Sequence, residues 1–298
     1  MSAIDQIGQM KWEHGHTWYR VVGDLESGLT PLVILHGGPG ACHNYCEPIA
    51  DLIAPSGRAV VLYDQIGCGD STLLPDKPKE FWTPALFMEE LTLLLTHLGI
   101  EEKYILLGQS WGGMLGMQYA IGHPQGLQAL IVADSPASMK LWLSEANRLR
   151  EELPPEVNQI LLKHETAGTT DDVEYTAAVN VFYDRHLCRV PAPACVLEGR
   201  RKQALDHTVY HTMNGPSEFH VVGSLKEWDI TDQLYQISVP TLLISGAHDE
   251  ATPYIVKQIH DRIPGALWEL FPESSHLPHI EEPARFKRIT MDFLNSIN

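Results

Sequence analysis

Short, wholly apolar runs recur through the first half of the chain, and polar or glycine-rich turns close them. Pro31-Leu32-Val33-Ile34-Leu35, Ala59-Val60-Val61-Leu62-Tyr63, Tyr104-Ile105-Leu106-Leu107 and Leu130-Ile131-Val132 are such runs. At this length, with no alternation, they predict strands buried on both faces. Helical patterns lie between them. Residues 43–53 look helical, and residues 84–98 carry Leu86, Phe87, Leu91, Leu94, Leu95 and Leu98 at helical spacing, opened by Pro84 and closed by Gly99. A third helix is expected over residues 113–122. Ahead of these, residues 11–23 alternate well enough for a strand or hairpin, with a turn at Glu26-Ser27-Gly28. Strand–helix alternation of this kind predicts a mostly parallel central sheet with helices on both faces. The rhythm stops at residue 137. Residues 137–230 hold no clear buried strand, but amphipathic helical stretches at 139–152, 155–165 and 171–187 and a Pro-Ala-Pro break at 191–193. It resumes with a strand at 241–244, a helix near 253–262, a strand at 266–271 and a helix at 283–296. Residues 1–136 and 231–298 are therefore expected to form one α/β core, with 137–230 inserted as a helical cap.

Composition narrows the partners. The 298 residues are 44% hydrophobic, enough for a large core, and Lys plus Arg number 21 against 38 Asp plus Glu, a formal charge of −17. So acidic a chain is a poor match for nucleic acid or an anionic membrane, and a better one for a cationic ligand. No secretory leader is visible in Met1-Ser2-Ala3-Ile4-Asp5-Gln6, and no apolar stretch approaches the length of a membrane span. Cys42, Cys46, Cys68, Cys188 and Cys195 are odd in number and scattered, which fits reduced thiols and a cytoplasmic location. Oligomeric state is left open.

The chemistry centres on Gly108-Gln109-Ser110-Trp111-Gly112. A buried strand, then Gly-x-Ser-x-Gly, then a helix reads as a nucleophile elbow, the strained turn that lifts a serine hydroxyl above the sheet of an α/β-hydrolase. Serine needs a base, and the base an orienting carboxylate. On this scaffold the acid and the histidine follow in that order. Asp249 comes just past the strand at 241–244, and His276 just past the strand at 266–271, so the expected triad is Ser110, His276 and Asp249. His248 and His279 are rival bases; the first adjoins Asp249, and the second lies deeper in its loop. The backbone N–H groups of Trp111 and of Gly38, within His36-Gly37-Gly38-Pro39-Gly40, are the expected oxyanion donors. His36, Cys42, His43 and Cys46 cluster in sequence, yet Cys-x-x-x-Cys without a second pair is a poor zinc framework, so no metal and no cofactor is expected.

His36-Gly37-Gly38-Pro39-Gly40, Asp64-Gln65-Ile66-Gly67-Cys68-Gly69-Asp70-Ser71 and Gly108-Gln109-Ser110-Trp111-Gly112-Gly113 together resemble the proline iminopeptidase (prolyl aminopeptidase) family of α/β-hydrolases. Met213-Asn214-Gly215-Pro216-Ser217-Glu218-Phe219 and Lys226-Glu227-Trp228-Asp229-Ile230-Thr231 resemble its archaeal tricorn-interacting branch. The resemblance runs from about residue 12 to the end. It implies a serine hydrolase that cleaves the amide bond after an N-terminal proline or small apolar residue, in short peptides or amino acid amides. The same motifs are shared by L-amino acid amidases and prolinamide hydrolases, and a carboxylesterase would keep the same triad. The resemblance also implies that Glu218 and Glu250 hold the substrate ammonium group, and that an apolar pocket takes the first side chain, with Trp111, Trp142, Phe182 and Tyr183 as candidates. Gln109 departs from the family pattern, in which glycine or serine is commoner before the nucleophile.

Overall fold

A computed structural model describes residues 5–297. The leader expectation rests mainly on residues 1–4, which lie outside that range. The chain enters through an antiparallel hairpin, β1 (Asp5–Trp12) and β2 (Gly15–Val22), longer than the alternation at 11–23 predicts because β1 is an exposed edge with little apolar signal. Then come β3 (Leu32–Leu35), a 3-10 turn at His43–Cys46 leading into α1 (Glu47–Ile53), β4 (Val60–Tyr63), α2 (Pro84–His97), β5 (Tyr104–Gln109), α3 (Trp111–Ile121) and β6 (Leu127–Ala133). The eight-stranded sheet has the order β1-β2-β4-β3-β5-β6-β7-β8, once β7 (Thr241–Gly246) and β8 (Leu267–Phe271) are added. Only β2 runs against the rest.

Period-two alternation divides the core. Leu32, Ile34, Val60, Leu62, Ile105 and Leu107 face α1 and α11 (Pro283–Ile297), where Ile49, Ile53, Phe286 and Phe293 meet them. Val33, Leu35, Val61, Tyr63 and Leu106 face the other way, onto Phe87, Leu91 and Leu94 of α2 and Leu115 of α3. α9 (Pro253–His260) joins this second face through Ile255 and Ile259. Each half of the central strands thus closes a separate apolar layer, as their unbroken apolar runs require.

Between β6 and β7 the chain forms α4 (Met139–Glu151), α5 (Pro155–Ala167), α6 (Val173–His186), α7 (Ala194–Gln203) and α8 (Thr208–Met213). Ala146, Leu149, Leu161, Tyr175, Phe182 and Phe219 make a small core of their own here. Ser138 and Asp172 cap α4 and α6 by accepting from the N–H groups of Leu141 and Glu174. This segment is tied to the core at its stem, where the N–H of Ile230 donates to the carbonyl of Ala137 and that of Met139 to Trp228. α10 (Pro278–Glu281) is a single turn after the loop that carries His276.

Candidate active site

Every chemical group expected from the core lies past the carboxyl end of a strand, where open parallel sheets bind ligands. Ser110 follows β5 directly, with φ 57° and ψ −124°, in the left-handed half of backbone space. The flanking glycines are required by space. A Cβ on Gly108 would stand 2.1 Å from the carbonyl oxygen of Gly112, and one on Gly112 would stand 1.9 Å from that of Leu35. The Ser110 N–H donates to the Ala133 carbonyl at 2.9 Å, pinning the turn to β6.

His276 turns its Nδ1 to Asp249 Oδ1 at 2.7 Å, and both residues are buried. The N–H of Ala251 donates to the same Asp249 oxygen at 2.9 Å. Burial opposes a charge on the His276 ring, but the charge and hydrogen bond of Asp249, with Glu218 nearby, outweigh it and raise its pKa. Ser110 and His276 border the same cavity of about 130 Å3. His279, the rival base, donates Nε2–H to the Tyr45 carbonyl at 2.9 Å, and burial lowers its pKa to about 4. His248 is held by its backbone, its N–H donating to the Ser274 carbonyl.

Gly38 has φ +112°, and a Cβ there would meet the Ala41 nitrogen at 2.5 Å. Its peptide group is oriented from both sides. The buried His36 ring, whose pKa is lowered chiefly by burial, places Nδ1 2.9 Å from the Gly37 carbonyl and accepts the Gln65 N–H at Nε2. That pattern makes His36 the neutral Nδ1–H form. The Gly37 N–H donates to the Tyr45 hydroxyl at 2.6 Å. On the opposite wall the Trp111 indole N–H donates to Gln65 Oε1 at 2.8 Å. Gly38 and Trp111 both line a second, smaller cavity of about 10 Å3, together with Ser110, Met139, Trp142 and Glu218.

Glu218, in the turn after α8, borders both cavities and accepts from the Tyr210 hydroxyl at 2.6 Å. Glu250 lies 3.9 Å from His276 Nε2, is 1% exposed, and neither of its oxygens has a hydrogen-bond partner. Burial pushes the Glu250 carboxyl well above the usual range, and the charges of Glu218 and Asp249 add to the effect. Glu218 is raised as well, again mainly by burial, although Tyr210 and His276 oppose the shift. The two carboxylates thus lie close enough for each other's charge to matter, and among the described residues neither is paired with a lysine or arginine.

Of the seven expected site residues, Ser110, Gly38, Trp111, Glu218 and His276 border the two cavities, and Asp249 and Glu250 lie beside His276. Of the apolar candidates, Trp111 and Trp142 line the small cavity, whereas Phe182 is buried against Phe219 in the helical segment and belongs to its core. Tyr183 accepts the Glu218 N–H rather than lining a pocket. Of the residues that cluster in sequence near His36, His43 pairs with Asp64 at 2.8 Å, the Cys42 thiol donates to Asn44 Oδ1, and Cys46 is buried. His43, Asp64 and Asp70 do converge, but Asp64 already accepts from His43 and from the Asp70 N–H, and Asp70 pairs with Lys202. Sequence reasoning assigned no role to Tyr45, Gln65, Tyr210 and Asp134: the partners of Tyr45, Gln65 and Asp134 are distant in the chain, and the Tyr210–Glu218 contact crosses a turn that no helical or strand period predicts. Asp134 follows β6 with φ 56° and is buried near Asp249, accepting the Gly246 N–H.

A serine at a positive-φ strand–helix turn and a buried histidine–aspartate pair on this sheet fit an α/β-hydrolase, and the alpha/beta hydrolase fold family model matches residues 30–283. The chain belongs more narrowly to the proline iminopeptidase family, and it is an enzyme of the serine-type aminopeptidase class. It is 40% identical to a proline iminopeptidase of Clostridioides difficile strain 630 over 97% of this chain and 98% of that one. It is 37% identical to one from Lactobacillus helveticus over 97% of each. Among solved structures, VinJ superposes with a TM-score of 0.96 at 50% identity, covering 98% of this chain and 99% of VinJ. A Mycobacterium smegmatis proline iminopeptidase superposes at 0.90 with 45% identity, covering 98% of each chain. No helix among the described residues is long and apolar enough to cross a membrane.

Proposed function

We propose that this enzyme releases an N-terminal proline or small apolar L-amino acid from short peptides or amino acid amides, through an acyl-enzyme on Ser110. The observation that carries the reading is the carboxylate pair at the cavity: Glu218 on its wall and Glu250 buried beside His276 with neither oxygen hydrogen-bonded, and no lysine or arginine paired to either among the described residues. A substrate ammonium completes that pair, and a desolvated charge contact of this kind fixes the scissile carbonyl over Ser110. The small cavity under Trp142 and Met139, lined also by Met114 and Leu225, takes the first side chain. The wide cavity takes the leaving amine. Residues 137–230 act as the lid that brings Glu218 to a core formed by 1–136 and 231–298.

His276 removes the Ser110 hydroxyl proton as the oxygen bonds to the carbonyl carbon. The N–H groups of Gly38 and Trp111 receive the oxyanion, and losing one such donor typically costs about 2.7–4 kcal/mol of transition-state stabilisation. The C–N bond then breaks as His276 gives its proton to the departing amine. Water deacylates the enzyme, its proton passing to His276 and then back to Ser110, and the amino acid leaves. Asp249 holds the imidazole and its positive charge throughout. The five cysteines are free thiols, consistent with a reducing cytoplasm.

The test is a panel of prolyl, alanyl and leucyl amides and nitroanilides, free and N-blocked, with Glu218→Gln beside the parent enzyme. Glu218→Gln should weaken free-amine substrates by about 2–5 kcal/mol and spare simple esters. Equal turnover of blocked and free substrates, or equal loss on amines and esters, refutes the ammonium site. Ester cleavage without amide cleavage would make the chain a carboxylesterase.

A further inference from the structure

The side chain next to the nucleophile joins two loops that come from opposite ends of the sequence. Gln109, 1% exposed at the end of β5, donates Nε2–H to the His276 carbonyl at 2.9 Å. Its Oε1 accepts the Tyr45 hydroxyl proton at 2.6 Å, and that hydroxyl in turn accepts the Gly37 N–H at 2.6 Å. The direction of each bond is forced. A backbone N–H and an amide NH2 only donate, and carbonyl oxygens only accept, so the hydroxyl has one arrangement that satisfies both sides. The contact is close enough that a Cβ on Gly37 would stand 2.8 Å from the Tyr45 hydroxyl, 3.0 Å from Ser110 Cβ and 3.1 Å from Gln109 Oε1. His279 fixes the other end of Tyr45 by donating to its carbonyl.

We infer that Gln109 is a positioning residue: through Tyr45 and through the main chain of His276, its amide holds the oxyanion loop and the base loop at a fixed separation across Ser110. The inference rests on the proposed roles of Ser110, His276 and Gly38, and not on the ammonium site. A glycine or serine at 109 could not span both partners, since neither carries an amide of that reach. An error of an ångström in such placements costs on the order of 100-fold in rate.

The experiment compares the parent enzyme with Gln109→Met, which keeps the volume and removes both hydrogen bonds, with Tyr45→Phe, and with the double variant. A fluorophosphonate probe reads the rate of Ser110 phosphonylation and, from its end point, the number of competent serines. The expected result is a phosphonylation rate and kcat lowered about 10- to 100-fold per competent serine, with KM unchanged. The double variant should be no slower than the slower single one, as for residues in one chain of contacts. Parent-like rates, a loss seen only in the end point, a change in KM alone, or additive losses would each overturn the inference. If Gln109→Met does not fold, Tyr45→Phe alone decides by the same rate. A parent enzyme that takes no probe refutes the triad itself. One that takes the probe yet cleaves no aminoacyl substrate refutes the proposed function, and leaves the Gln109 comparison intact.

Discussion

Single side chains set the ionisation of this molecule, and burial is the main cause. Glu90 is fully buried, accepts the Ile66 N–H and the Thr17 hydroxyl, and has its pKa pushed from 4.5 up to about 8 by loss of water. Between those values the folded chain keeps a proton that the unfolded chain has lost, so stability falls as pH rises across that window. The loss amounts to roughly 4 kcal/mol by about pH 8, and Glu90→Gln should flatten the decline in thermal midpoint between about pH 5 and pH 9. His276 behaves in the opposite functional sense. Its pKa is raised, and catalysis needs the neutral ring, so the acid limb of kcat/KM should lie above the ordinary histidine value of 6.5. Asp249→Asn removes the chief stabiliser of the charged ring and should move that limb to lower pH while reducing kcat.

At the scale of elements, the turn between β5 and α3 is packed against backbone on both sides. Gly112→Ala would drive a methyl group into the backbone of β3, and should cost about 3 kcal/mol or more, measured by chemical denaturation. This turn was also the most legible element in the sequence, because steric demands leave glycine and serine no substitutes. The central strands were legible for a related reason: burial on both faces leaves unbroken apolar runs. Legibility failed where stabilisation is not apolar or not local. The first four residues of β1 look polar because that strand is a solvent-facing edge. α7, with Glu198, Arg200, Arg201 and Lys202 on mostly open surface, carries no apolar stripe to read. The seven candidate site residues stand at strand ends or in motifs, whereas the contacts of Tyr45 and Gln65 run to partners 64 and 46 residues away, Gln109 and Trp111, and no local pattern announces those contacts.

Across the whole molecule, a charge of −17 surrounds a site whose own unpaired groups are carboxylates. Such a field draws cationic peptides toward the mouth of the wide cavity and is screened by salt. Raising ionic strength from about 0.01 M to about 0.5 M should lower kcat/KM for free-amine substrates, and leave that for neutral esters nearly flat. The two cavities that share Gly38, Ser110 and Glu218 have a kinetic consequence. On the proposed acyl-enzyme path, once the first product diffuses out through the broad opening, the acylated serine stays anchored by its residue on the narrow side, and whatever next enters the vacated half becomes the acceptor. Water is one such entrant. Hydroxylamine or an amino acid ester supplied in excess is another, so the enzyme should follow ping-pong order and build new amide bonds by partitioning.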